Sequence, residues 1–101
     1  MVLVALTAAL VLQTPVADPR EMRLPSQPAP LVGTVIDAGP DAPAALIIAG
    51  SGPTDRDGNS PLGVSAGTYR LLAEGLTNQG ISTLRYDKRG VGQSAGAMVA
   101  E

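Results

Sequence analysis

Apolar and polar residues alternate along this chain in blocks of different period, and each block predicts an element. Residues 31–37, LVGTVID, are few and rich in β-branched side chains, which predicts a strand with Gly33 as a candidate bulge. Residues 44–49, AALIIA, form an unbroken apolar run, the pattern of a strand buried on both faces in a parallel sheet. Within residues 65–79, Tyr69, Leu72, Ala73 and Leu76 recur at helical spacing, and Gly80 follows as a stop. Gly75 inside that helix is unfavourable by about 1 kcal/mol against Ala, which suggests close packing there. Residues 81–87, ISTLRYD, predict a further buried strand.

Between these blocks lie turn-forming stretches. Residues 38–43, AGPDAP, are turn chemistry. Residues 50–60, GSGPTDRDGNS, and residues 88–96, KRGVGQSAG, are glycine-rich loops. A strand–helix–strand unit of this length favours a right-handed parallel crossover. The expected fold class is therefore α/β, with about three strands, one crossover helix and an open sheet edge beyond the last strand.

The N-terminal part reads differently. Residues 1–12 are uncharged and almost wholly apolar. They are too few to span a bilayer as a helix, which takes about 20. They suit the apolar centre of a secretory signal ending near Ala17, so residues 1–17 read as a leader and the protein as secreted or periplasmic. The competing reading is a buried helix or strand. It draws on the lack of Lys or Arg before the run and on Pro15 near the cleavage point. Residues 18–30 hold four prolines and four charges, which predicts an extended linker. Residues 31–101 then carry the α/β part.

Composition narrows the chemistry. The net charge is −2 with acids and bases mixed, unlike the basic patch of a nucleic-acid binder. With no cysteine there is no disulfide framework, thiolate nucleophile or cysteine-held metal. With no histidine, the chain cannot itself supply the imidazole of a Ser-His-Asp machine. Two tyrosines are its sole aromatic residues, and its apolar content is largely Ala, Val, Leu and Ile, so the hydrophobic term is thin.

Four motifs compete for attention. Gly92-Gln93-Ser94-Ala95-Gly96 spells G-x-S-x-G, the nucleophile elbow of many hydrolases. An elbow needs a buried strand running straight into the serine, but Ser94 lies seven positions beyond Asp87. Gly90 to Ala95 spells G-x-G-x-x-A, a dinucleotide fingerprint, with Lys88 and Arg89 intervening after the strand. Asp55 to Asn59 opens like a calcium loop, then departs at Ser60 and Ala66. The loop at 50–60 follows a strand and precedes a helix, where glycines can turn backbone N–H groups toward an anion. The plain alternative is a βα loop rich in turn residues.

Two longer blocks, LIIAGSGPTDRDGNS and YRLLAEGLTNQGISTLRYDKRGVGQS, resemble the N-terminal part of α/β-hydrolase-fold proteins, closest in character to serine esterases and aminopeptidase-like enzymes. The likeness spans residues 31–94. It implies a partial α/β-hydrolase sheet, an ester or peptide substrate and no cofactor; the charge balance and the short apolar run add no nucleic-acid partner and no stable membrane span. The likeness implies that Gly50, Ser51 and Gly52 form the oxyanion loop, with the Ser51 N–H as donor and that of Gly52 as second choice. Ala49 stands where such proteins often carry a histidine. Nucleophile, acid and imidazole would come from later segments, so no residue of this chain is expected to be catalytic, and the chain alone is expected to be inactive. The alternatives are an anion- or nucleotide-binding module and a non-functional fragment.

Overall fold

A computed structural model of the chain describes residues 17–98; the leader expected at residues 1–17 falls almost wholly outside them. The elements are β1 (Arg20–Leu24), β2 (Leu31–Ile36), β3 (Ala44–Ile47), α1 (Thr68–Asn78), β4 (Ser82–Tyr86) and a 3₁₀ segment (Gly92–Ala97). The four strands form one sheet in the order β1-β2-β4-β3. β2 is antiparallel to β1 and β4, whereas β3 and β4 are parallel, joined through α1. The α/β class and the parallel crossover match the sequence reading, with one more strand than expected.

That extra strand corrects the linker at 18–30. In REMRL, half-buried Met22 and Leu24 alternate with exposed Glu21 and Arg23, the period of a strand with one covered face. Pro19 and Pro25 flank the strand without entering it, so no ladder donor is lost. Gly33 is not a bulge. It stands in continuous register between Met22 and Tyr86. A Cβ there would lie 2.9 Å from the backbone oxygen of Arg85, so glycine permits close contact between strands.

The open edge also differs. β4 is the last strand in sequence but is paired on both sides, so β3 and β1 form the two edges of the sheet. Nor is β3 buried on both faces. Leu46 is 56% exposed and Ile48 just beyond it 61%. The reason is that α1 packs over β4 and β2 and leaves β3 beside it.

The helix lies close to the sheet because its buried face is small. Ala73 and Thr77 are fully covered, while Leu72, expected in the buried stripe, is exposed. Thr77 Oγ1 lies 3.2 Å from Thr83 Oγ1 and donates to the Ala73 carbonyl at 2.8 Å, so the hydroxyls meet without unpaired oxygen. Gly75 has open space where a Cβ would go, so packing does not explain it. Gly80 does end the helix. It adopts φ +86°, its N–H bonds the Thr77 carbonyl, and the Ile81 N–H bonds Leu76, a Schellman closure. Among the described residues, no helix is long and apolar enough to cross a membrane.

The close approach at Gly33 sets a test. Gly33→Ala should lower the urea midpoint, with a loss of about 1–3 kcal/mol, because backbone must shift to admit the methyl group. Chemical denaturation of the two proteins compares them directly.

Candidate functional site

Because β3 and β4 run parallel, the loops that follow them leave the same end of the sheet. Ligands of open α/β sheets bind at that carboxyl end. The first loop, residues 48–67, is shaped by its own polar groups. Asp55 Oδ1 accepts the N–H groups of Asp57 and Asn59, both at 2.9 Å. Asn59 Oδ1 accepts the Gly67 N–H at 2.8 Å. The Asp57 carbonyl takes the N–H groups of Tyr69 and Arg70, satisfying two donors that the first turn of α1 leaves open. The calcium-like spelling is thus a set of local backbone bonds, the ordinary use of Asp and Asn in turns.

The second loop begins at Asp87, which follows β4. Its N–H bonds the Val32 carbonyl at 2.9 Å, and its side chain is only 4% exposed. The carboxylate collects donors from both loops. Oδ1 accepts the Arg56 N–H at 2.7 Å; Oδ2 accepts the Gln93 N–H at 3.0 Å and lies 3.4 Å from Arg56 Nη1. Arg56 Nη2 reaches Gln93 Oε1 at 2.6 Å and completes the bridge. Two residues earlier, buried Arg85 pairs through Nε and Nη2 with Asp57 Oδ1, each at 3.3 Å. Asp55, Arg56, Asp57, Asp87, Gly92 and Gln93 line a depression of about 300 Å³ between the loops. Within it Arg56 pairs with Asp87, while Asp57 pairs with Arg85 and Asp55 accepts backbone N–H groups.

The serine of GQSAG sits elsewhere. Ser94 has no exposed surface, and its Oγ accepts the Val32 N–H at 2.9 Å. The residue lies in the 3₁₀ segment, packed against β2, at φ −93° and ψ 16°. An elbow serine presents a free Oγ on a strained turn between strand and helix. Ser94 instead terminates the β2 ladder.

The glycines of the dinucleotide-like spelling are also used internally. A Cβ on Gly92, at φ +51°, would lie 2.6 Å from Asp87 Oδ2. A Cβ on Gly90, at φ +77°, would meet the Met98 side chain. The Asp87 carboxylate therefore occupies the space beside Gly92 and takes the Gln93 N–H.

Gly50, Ser51 and Gly52 lie on the surface just beyond β3, outside the depression. Among the described residues, their N–H groups donate to no protein acceptor. Their carbonyls are differently placed. Lys88 Nζ donates to the Gly50 oxygen and, at 2.8 Å, to the Gly52 oxygen. Sequence reasoning singled out this loop but not Lys88, Asp87 or the Arg56–Gln93 bridge. A hint lay in the placement of Asp87 and Lys88 immediately after a strand, where each can reach the neighbouring parallel loop. Protein-family models, curated proteins and solved structures give no match to this chain.

Two substitutions separate the roles here. Ser94→Ala should cost about 1–3 kcal/mol by stranding the buried Val32 N–H. Asp87→Ala should cost about 3 kcal/mol or more, since it leaves Arg56 and two backbone donors without their acceptor. Thermal and urea unfolding read both losses.

Proposed function

We propose that this chain is the N-terminal, oxyanion-loop segment of a secreted serine hydrolase of the α/β-hydrolase fold, acting on ester or peptide bonds. The observation that carries this reading is the row of N–H groups at Gly50, Ser51 and Gly52, without a protein acceptor among the described residues, beyond β3 at the carboxyl end of a parallel strand pair. In α/β hydrolases, an N–H from the loop between the third strand and its helix forms one half of the oxyanion hole. β3 is the third strand among the described residues, and the loop leads into α1.

The chemistry follows from that placement. A serine attacks the substrate carbonyl, and negative charge grows on its oxygen. An N–H fixed beforehand at that position stabilises the charge without reorganising, and removing such a donor typically slows turnover by about 10² to 10³. The nucleophile is a serine other than Ser94, whose hydroxyl is buried and bonded. The imidazole comes from another stretch of polypeptide, since these 101 residues hold no histidine.

The test uses the protein from its source cells. An antibody against residues 18–98 recovers the native polypeptide, which is treated with a fluorophosphonate and digested. The expected result is one labelled serine outside this chain's GQSAG stretch, with labelling abolished by prior heat denaturation. No label, or label on Ser94, would overturn the proposal. The 101-residue chain alone should not turn over p-nitrophenyl acetate with saturation. Saturable turnover lost in Ser94→Ala would equally count against this reading.

A further inference from the structure

We infer that Lys88 is the positioning residue that selects the Ser51 N–H as the donor of the 50–52 loop; the inference rests on the reading of that loop as an oxyanion site. A trans peptide is planar, so its C=O and N–H point in opposite directions. The Gly50 carbonyl and the Ser51 N–H share one unit, and the sole cis bond among the described residues is Gln27–Pro28. When Lys88 Nζ takes the Gly50 oxygen, the Ser51 N–H is turned to the opposite side of that plane.

The second anchor costs the loop no donor. Lys88 also holds the Gly52 carbonyl at 2.8 Å, and that unit continues into Pro53, which has no N–H. The ammonium thus grips the chain on both sides of Ser51; of the two peptide units it holds, the one between Gly50 and Ser51 carries an N–H, and the Gly52 N–H belongs to the unit between them that the ammonium does not hold. Gly52 adopts φ +92°, a backbone conformation that favours glycine and lets both carbonyls face one cation. Two of the three ammonium protons are used. A carbonyl bonded to a cation also polarises its own peptide unit, which strengthens the attached N–H as a donor. The root of Lys88 is fixed, because neighbouring Asp87 is tied through its N–H to β2 and through its carboxylate to both loops.

The test has two arms. In the 101-residue chain, through-hydrogen-bond NMR couplings should connect Lys88 Nζ to the carbonyl carbons of Gly50 and Gly52. In Lys88→Met, the Ser51 amide order parameter should fall from about 0.85 to below about 0.6, and Lys88→Arg should recover most of the difference. Unchanged Val32 and Ser94 amide shifts show that the fold persists. Should Lys88→Met fail to fold, the couplings in the unsubstituted chain decide. Absence of both couplings, or an unmoved Ser51 amide in folded Lys88→Met, would overturn the inference.

The second arm uses the native fluorophosphonate-reactive protein. Lys88→Met should slow labelling by about 10² to 10³, with substantial recovery in Lys88→Arg. Full-rate labelling in Lys88→Met would also overturn the positioning role. A native protein that never labels overturns the hydrolase reading instead, and the NMR arm then judges the clamp by itself.

Discussion

The carboxylate of Asp87 is the interaction on which the loop end of this molecule depends. It is nearly buried, and burying a charge is costly unless donors surround it. Here they come from both loops. The Arg56 N–H and guanidinium approach from the loop after β3, and the Gln93 N–H approaches from the loop after β4. The glycine at position 92 follows from the same contact, since any side chain there would collide with the carboxylate. So does the placement of Lys88, the next residue, whose reach to Gly50 and Gly52 starts from a backbone that Asp87 holds against β2.

The same economy explains Ser94. β4 leaves the sheet after pairing with β2, and the Val32 N–H would then be buried without an acceptor. The 3₁₀ segment supplies one in the Ser94 hydroxyl. Arg89 secures that segment by donating to the carbonyls of Ala97 and Gln27, the latter in the β1–β2 connection. A stretch that spells a catalytic motif is therefore held in place by backbone needs. Motif identity and site identity separate here because the spelling constrains neither burial nor what the hydroxyl faces.

Much of the fold was legible because local patterning and packing agreed. The apolar run at 44–49, the helical spacing near 69–76 and the strand at 81–87 each lie within about three residues of an observed element. β1 was hidden by composition. Its alternation of Met22 and Leu24 with charges was a strand signal, but the surrounding prolines read as a linker. The exposure of β3 could not be read from AALI, because it depends on where α1 lies, and the fully covered residues of α1 are Ala73 and Thr77, while Leu71 and Leu72 are exposed. The candidate loop at Gly50–Gly52 was readable from glycine spacing. Its clamp was not, because Lys88 lies 38 residues from Gly50 and meets it only through parallel pairing.

Parallel pairing is thus what turns two unremarkable glycine loops into one constructed edge. An antiparallel β3–β4 pair would place the loops that follow them at opposite ends of the sheet, and neither Asp87 nor Lys88 could reach residues 50–56. The crossover through α1 reverses the chain once and restores its direction, so Asp87 and Lys88, just past β4, reach the loop just past β3. Charge then divides the work. The anion at 87 gathers N–H groups inward and closes the loops together. The cation at 88 gathers carbonyls and leaves the intervening N–H outward. Adjacent residues of opposite sign can do both because they diverge in position as the strand ends. The outward donor at Ser51 is a consequence of that pair, and its direction follows from peptide planarity rather than from any contact of its own.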